Sequence, residues 1–422
     1  MKEKQSKIQI LYLMSVAFIL LLQIKPVNGQ SADYPFQKPT YKFIRYDLNR
    51  LQFGKDSSQF ENFFMKLDRL IHKGEGNINI VHIGGSHVQA DIHSGELRRR
   101  LQMFYPGNKG SRGFLFPYKM AKTNNPGNFS MNYTGRWTAC RNVQANYCTL
   151  GLSGISVTTT DTISSITLYP SQSNYMEYDY NRVRIFHQTT ADSYSIEFGN
   201  PEAVTSAYVN PDGGYTEFTL NRHLNELILF IRKTAPEQQS FTLYGIQFIN
   251  DDPGITYHSI GVNGAAVPSY LKCILLAKHL KVIDPDLIIL SIGVNDAHGK
   301  NFSADAFRVN YESLIQMMKP ALKDATVLFT TNNDTYLSRK YPNRNALQVR
   351  EVMLQLAEKY GYGVWDLHSI MGGLGSMSTW EHEGLAASDR VHFTRAGYTL
   401  IGDLMFEAIL KSYVNHLKSL KD

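Results

Sequence analysis

The sequence predicts a three-layer α/β protein, in which helices cover both faces of a parallel sheet, with a β-sandwich inserted into it. The α/β part is predicted because apolar strands alternate with helical periods up to about residue 127 and again from residue 253. The insert is predicted because residues 128–252 lose the helical periodicity and show short runs in which polar and apolar residues alternate. We therefore expect one α/β domain in two parts, separated by a jelly-roll-like domain.

The first part of the α/β domain, residues 30–127, contains one strong strand and one helix. The apolar run Ile78–Ile83, bounded by Gly84 and Gly85, predicts a buried strand. A helix is predicted next, from three apolar residues at helical spacing: Leu97, Leu101 and Phe104. The run Arg98–Arg100 on this helix is interpreted as a solvated face, in preference to an anion site.

The insert, residues 128–252, shows several short strands separated by turns. Its clearest predicted strands are Arg182–Phe186, Glu226–Ile231 and Phe241–Phe248. Asp212–Gly214 supplies a hairpin turn between Tyr208 and Phe218. Many short strands with regular turns favour a β-sandwich or jelly roll.

The second part of the α/β domain, residues 253–422, returns to strands that alternate with helices. The predicted elements are a helix at 266–281, a strand at 286–292, a helix at 305–319, a strand at 326–330, a helix at 344–360, a strand at 362–366 and a helix from about 395. This order implies a parallel sheet covered on both faces.

Residues 1–29 have the three parts of a secretory signal peptide: a basic start, an apolar stretch from Ile8 to about Ile24 and a short polar end. The apolar stretch is short for a membrane span and contains Gln9 and Gln23, so cleavage is favoured over an anchor. We therefore expect an exported protein, periplasmic or secreted, without a transmembrane anchor in the mature chain.

The charge and the cysteines exclude several classes of function. Residues 1–29 carry +3 of the total charge of +6, which leaves the mature chain too weakly basic for charge-driven binding of nucleic acid. The motifs of metal sites are missing from the sequence, so neither a metal nor another cofactor is expected. Cys140 and Cys148 are close enough to pair, although the sequence leaves this open, and Cys273 is predicted to be a buried thiol in an apolar helix.

Four polar or glycine-bearing turns lie where strands end or helices begin. These turns are Gly84–His87, Ser259–Ala266, Gly293–Asp296 and Asp389–Thr394. Functional residues of an open α/β sheet collect at the carboxyl ends of its strands. We therefore expect the four turns to meet in one cleft.

The residue types in these turns suit acyl transfer. A serine hydroxyl needs a base to become nucleophilic, and His392 could remove the proton from Ser86. Asp389, three residues earlier, could hold the other ring nitrogen of that histidine and stabilise the imidazolium. The oxyanion would be stabilised by the backbone N–H groups of Ser86 and Gly264 and by the side-chain amide of Asn295.

These residues, in this order, resemble those of the SGNH (GDSL-type) hydrolases, whose four sequence blocks supply Ser, Gly, Asn and His. The resemblance implies that Ser86 is the nucleophile, Asp389 and His392 its partners, and Gly264 and Asn295 oxyanion-hole residues. Four longer segments are similar to bacterial peptidoglycan O-acetylesterases: Ser86–Asp91, Gly110–Gly113, Gly261–Ala265 and Trp380–His392. That subgroup carries a carbohydrate-binding-like β-sandwich between its Ser and Gly blocks, and the chain has room for one there.

Two residues beside the nucleophile need separate comment. The family pattern has Asp immediately before the serine, whereas this chain has Gly85. We expect activity to survive this change. His87 directly follows the serine, and on an extended strand end its side chain would point away from the serine side chain, so a structural role is predicted for it.

The resemblance implies a serine esterase that removes O-acetyl groups from a polysaccharide, with peptidoglycan favoured, through an acetyl-enzyme on Ser86. Three alternatives stay open: an acetylesterase for a xylan-like or host glycan, an O-acetyltransferase, and a catalytically silent glycan-binding protein. The sequence leaves open the oligomeric state and the ligand of the insert.

Overall fold

A computed structural model gives the structure of the chain. It describes residues 38–54, 58–105, 107–145, 147–171 and 176–420. The predicted signal peptide, residues 1–29, lies outside the described residues. Contacts separate Met1–Pro39 from Thr40–Asp422, and the description below concerns the second of these units.

Strands and helices are numbered in chain order. The strands are β1 Leu51–Gln52, β2 Asn77–Gly84, β3 Gly113–Leu115, β4 Ser130–Tyr133, β5 Thr138–Arg141, β6 Ile155–Thr159, β7 Ile163–Tyr169, β8 Tyr180–His187, β9 Ser195–Phe198, β10 Val204–Asn210, β11 Tyr215–Leu224, β12 Leu227–Arg232, β13 Phe241–Ile249, β14 Gly254–Gly261, β15 Leu287–Ser291, β16 Thr326–Thr330, β17 Tyr336–Leu337, β18 Tyr341–Pro342 and β19 Gly363–Trp365. The α-helices are α1 Ser58–Lys73, α2 Ser86–Gln89, α3 His93–Met103, α4 Val267–Leu271, α5 Leu276–Ile283, α6 Val294–Ala297, α7 Ala304–Met318, α8 Asn345–Tyr360, α9 Leu367–Ile370, α10 Met377–His382 and α11 Arg395–Ser419.

The α/β domain is built on a six-stranded sheet with the strand order β1-β19-β16-β15-β2-β14. All its pairs are parallel except the pairing of the edge strand β1 with β19. Helix α11 packs against α1 and α3, while α7 packs against α4, α5 and α8, so helices lie on both sides of the sheet. The central strands are buried along most of their length because helices cover both faces of the sheet. The three-layer α/β prediction is confirmed.

Two antiparallel sheets account for most of the segment between β2 and β14. One has the order β10-β11-β8-β13-β6-β5, with β3 also paired to β13, and the other has the order β4-β7-β12-β9. These sheets confirm the predicted β insert, and the predicted turn at 212–214 does connect β10 to β11. Because β3 precedes residue 128, the bounds of 128–252 for the insert stay a prediction.

The predicted helix at 266–281 is wrong in one respect, because it is broken into α4 and α5. The backbone N–H of Leu275 donates to the carbonyl of Leu150, so the chain leaves the helical path to bond to a distant segment. Cys273 is buried, as predicted, but it lies in this break and not in a helix. Cys140 and Cys148, whose pairing the sequence left open, form a disulfide.

The interpretation of Arg98–Arg100 as a solvated face is also wrong. Arg98 and Arg100 are buried because helix α3 packs against α11 and β14. Arg98 bonds to Asp91 at 2.8 Å and Arg100 to Asp403 at 2.7 Å. Only Arg99 keeps a third of its side chain exposed. Each buried charge is therefore paired, as burial of an ion requires.

Within the described ranges, no helix combines the length and the apolar character needed to cross a membrane.

Candidate active site

Ser86 lies at the carboxyl end of β2, where the chain passes directly into helix α2. The sheet register places Gly84 opposite Gly261 at the end of β14 and opposite Ser291 at the end of β15. Gly261 permits helix α2 to approach the end of β14, because a Cβ at this position would lie 2.2 Å from the backbone nitrogen of Gln89. The extended conformation expected around the serine is wrong, since α2 begins at Ser86 itself.

His392 and Asp389 come from the loop before α11 and meet Ser86 directly. The Nε2 atom of His392 lies 2.9 Å from the Oγ atom of Ser86, and its Nδ1 atom lies 2.8 Å from Oδ2 of Asp389. The other carboxylate oxygen accepts the backbone N–H groups of Val391 and His392, both at 2.9 Å. This bonding assigns the Nδ1 proton to the side facing the carboxylate, so Nε2 is free to accept the serine proton.

The carboxylate of Asp389 is held in its ionised form. Partial burial alone would raise its pKa, but hydrogen bonds from the backbone and ring of His392 and from the Val391 backbone bring the pKa below its ordinary value. The side chains of His392 and Asp389 are 41% and 38% exposed, and His392 lines an open cleft. Water therefore screens part of their interaction.

Gly264 and Asn295 follow the strands on either side of β2 and line the same cleft as Ser86 and His392. Gly264 has φ of +83°, a conformation that favours glycine. The Nδ2 atom of Asn295 donates to the carbonyl of Ala265 at 2.9 Å, which connects the two turns. An amide NH₂ has a second N–H, so one donor of Asn295 is left for a ligand.

Asp296 is a site-forming residue that the sequence reasoning missed. Its carboxylate accepts the backbone N–H of Val267, the first residue of α4, at 3.1 Å. The turn with Asn295 is thereby tied to the helix that follows Gly264. Burial raises the pKa of Asp296 to about 6. The sequence of this turn, G-x-N-D, gave no sign that Asp296 would accept a hydrogen bond from a distant backbone N–H.

Gly85 faces the amide of Asn295. A Cβ at this position would lie 3.3 Å from Nδ2 of Asn295 and 3.5 Å from the carbonyl oxygen of Ala265. A larger residue here would therefore contact the amide of Asn295, which connects the turns that carry Gly264 and Asn295. The residue before the serine thus affects Asn295 more directly than it affects His392.

A second polar cluster, also missed from sequence, surrounds Asp91, which lines the cleft together with Arg98 and Asn128. Its carboxylate bonds to Arg98, Arg112 and Asn128, each at 2.8 Å, and Ser94 donates to it at 2.7 Å. Burial alone would raise the pKa of Asp91, but the two arginines hold it well below its ordinary value. The cluster joins two of the four segments that carried the resemblance, 86–91 and 110–113.

The cleft above Ser86 has a volume of about 780 Å³ and draws its walls from distant parts of the chain. Besides the site residues, its walls include helix α3, the segment Asn124–Asn128, and Met176 and Tyr178 just before β8. A site of this size takes a ligand far larger than an acetyl group. Among the described residues, His, Cys, Asp and Glu side chains form no group of three that could hold a metal ion.

Comparison with known proteins agrees with this architecture. Residues 235–400 match the model of the GDSL-like lipase/acylhydrolase family. A solved structure of a peptidoglycan O-acetylesterase is similar with a TM-score of 0.73 and 21% sequence identity, covering 86% of this chain and 99% of that chain. The predicted resemblance to the SGNH hydrolases, and their fold, are thereby confirmed.

Structures of other esterases are similar over a smaller share of the chain. A catalytic mutant of an acetylxylan esterase from Geobacillus stearothermophilus has 21% identity, coverage of 37% of this chain and 74% of that chain, and a TM-score of 0.30. A lipase/acylhydrolase from Enterococcus faecalis has 21% identity, coverage of 38% and 77%, and a TM-score of 0.31. No curated protein matches the sequence.

Proposed function

We propose that this chain, which has the fold and the family pattern of the SGNH hydrolases, is a serine esterase that removes O-acetyl groups from a polysaccharide. The observation that carries the proposal is the hydrogen-bonded series Ser86–His392–Asp389 at the wall of a large cleft. The polymer that we favour is peptidoglycan. The protein acts after export, in the periplasm or outside the cell, in accordance with the predicted signal peptide.

The first half of the reaction forms an acetyl-enzyme. The Oγ atom of Ser86 attacks the acetyl carbonyl while Nε2 of His392 takes its proton, and the ionised Asp389 stabilises the imidazolium. Backbone N–H groups of Ser86 and Gly264, together with the free N–H of Asn295, stabilise the oxyanion. Loss of one such donor lowers the rate by about 10²–10³-fold.

The second half releases the sugar and then acetate. The imidazolium of His392 donates its proton to the departing sugar oxygen, so the glycan leaves as an alcohol. A water molecule then attacks the acetyl group on Ser86 while His392 takes a proton from that water. As acetate leaves, His392 gives this proton to the Oγ atom of Ser86. The cycle uses only side chains and backbone groups of this chain, and it returns His392 to its neutral form.

The cleft supports a polymeric substrate. Amide side chains at its walls, Asn124 and Asn263, can both donate to and accept from sugar hydroxyl groups. Met176 and Tyr178 bring the antiparallel-sheet region to the same cleft, so a glycan bound near Ser86 would contact both regions. Peptidoglycan is favoured because the similar structure that extends over nearly the whole chain is that of a peptidoglycan O-acetylesterase.

The decisive experiment measures acetate release from O-acetylated peptidoglycan by the purified protein and by Ser86→Ala. Ser313→Ala, a change of a serine on the distant helix α7, is the control. Release by the parent and the control, with none by Ser86→Ala, supports the proposal. Failure on peptidoglycan with Ser86-dependent cleavage of p-nitrophenyl acetate would keep the esterase and replace the polymer, with acetylated xylan tested next.

Two further outcomes would reject the hydrolase itself. Transfer of acetyl groups to an added oligosaccharide, in place of acetate formation, would identify an O-acetyltransferase. Absence of turnover on every substrate, with binding to the glycan retained by Ser86→Ala, would identify a binding protein.

A further inference from the structure

His87 lies against the ring of His392. The centroids of the two imidazoles are 5.1 Å apart and their planes are inclined by 41°. His87 directly follows Ser86 on helix α2, so the nucleophile and the ring that contacts its base belong to the same helical turn. Any movement of His392 toward this side is blocked by a residue that is covalently tied to Ser86.

Tyr398 holds His87 in this position. Its hydroxyl oxygen lies 2.7 Å from Nδ1 of His87, and its side chain is only 4% exposed. The backbone N–H of Phe393, the residue after His392, interacts with the same hydroxyl group. The ring centroids of Phe393 and Tyr398 lie 5.4 Å apart. His93 stacks on the tyrosine ring with centroids 5.9 Å apart. Tyr398 therefore contacts both the turn of the nucleophile and the loop of the base.

His87 is suited to support a base because it stays neutral. Burial, with a contribution from His392, holds the pKa of His87 well below its ordinary value. A second positive charge beside His392 would oppose the imidazolium that forms when the serine proton is taken. A neutral aromatic ring opposes it far less while still limiting the tilt of the neighbouring ring.

We propose that His87 and Tyr398 are positioning residues, which together keep His392 within hydrogen-bond distance of Ser86. This inference rests on the proposed role of His392 as the base. Asp389 fixes one edge of the imidazole through Nδ1, whereas His87 limits the tilt of its face. Two constraints of different direction define the ring orientation better than the carboxylate alone, which is partly exposed to water.

The test uses variants that remove the hydrogen bond and keep the rings. We expect Tyr398→Phe and His87→Phe each to lower kcat on p-nitrophenyl acetate by about 5- to 20-fold, with KM changed less than twofold. The double variant should be no slower than the worse single variant, because both changes break the same bond. Tyr413→Phe, which removes a buried hydroxyl from the other end of helix α11, should leave kcat unchanged.

A second readout does not depend on turnover. The Nδ1 proton of His392, bonded to Asp389, should give a downfield proton resonance in the parent that broadens in Tyr398→Phe and stays in Tyr413→Phe. If His87→Phe does not fold, His87→Asn takes its place. This variant can keep the hydrogen bond to Tyr398 but removes the ring that faces His392, so kcat should again fall by about 5- to 20-fold. Unchanged kcat and an unchanged resonance would overturn the proposal, as would additive losses in the double variant. If Ser86→Ala retained the parent's turnover, the esterase proposal would fail, whereas the resonance would still decide the positioning role.

Discussion

Replacing Asp389 by Asn tests the series Ser86–His392–Asp389 with one atom exchanged. One carboxylate oxygen of Asp389 accepts two backbone N–H groups, and the other faces Nδ1 of His392. The single oxygen of Asn would stay with the two backbone donors, so its NH₂ group would face Nδ1. The Nδ1 atom of His392 would then have to accept a hydrogen bond from this NH₂ group, so the ring proton would move to Nε2.

The magnitude of the loss follows from this change of tautomer. With its proton on Nε2, His392 donates to the Oγ atom of Ser86 and cannot take the serine proton. In a buried serine triad the same exchange lowers kcat by about 10⁴-fold. Here the carboxylate is 38% exposed, so water can replace part of its effect. We therefore expect kcat to fall by about 10³-fold, with KM nearly unchanged.

The measurement compares kcat and KM on p-nitrophenyl acetate for Asp389→Asn and Asp389→Ala, with thermal unfolding as a check of the fold. Alanine leaves the tautomer free, so Asp389→Ala should be the more active of the two. If the kcat of Asp389→Asn lay within tenfold of the parent value, or above that of Asp389→Ala, the tautomer reasoning would be refuted.

Three further predictions concern stability and its dependence on pH. Asp91→Asn leaves two buried arginines without their counter-charge, so the free energy of unfolding in urea should fall by about 3–5 kcal/mol. The pKa of Asp296, raised to about 6 by burial, means that the native state binds the proton more tightly than the unfolded chain. The free energy of unfolding of the parent should therefore fall as the pH rises from about 4 to 6. At pH 7.5, Asp296→Asn should be about 1–3 kcal/mol more stable than the parent. Urea unfolding of both proteins at about pH 4 and at pH 7.5 measures these differences. Replacing Cys140 and Cys148 by Ser should lower the free energy of unfolding by about 2–3 kcal/mol, and a reductant should have the same effect on the parent and none on the variant.

The elements of the fold could be predicted because their signals are local. A continuous apolar run predicts the strand Thr326–Thr330, and helical periodicity predicts the helix that ends at Tyr360. The break at Cys273 could not be predicted, because a hydrogen bond to Leu150, more than a hundred residues away, creates it. Similarly, the burial of Arg98 depends on the packing of helix α3, which no window of sequence around the arginine contains.

The candidate site was predictable to the extent that residue types and their order define it. The structure brings together Ser86, His392 and Asp389, as expected. The contacts made by His87 and Asp296 around them were not predicted. The extended conformation expected at His87 was wrong because the chain is already helical at Ser86, and the contacts of His87 with Tyr398 and His392 are not visible in the sequence. Asp296 escaped for a related reason, since its partner is a backbone N–H that a tertiary contact supplies.

The sheet positions the proposed nucleophile and the proposed oxyanion residues but not the proposed base. Gly84, Gly261 and Ser291 lie side by side at the ends of adjacent parallel strands, so the sheet brings together the turns that follow them, and the hydrogen bonds of Asn295 and Asp296 then connect these turns. His392 belongs to no strand, and it reaches Ser86 from the loop before helix α11. Its orientation must therefore come from side-chain contacts. Substitutions around this loop should consequently affect kcat more than the folded structure, because the strands that form the rest of the site do not depend on them.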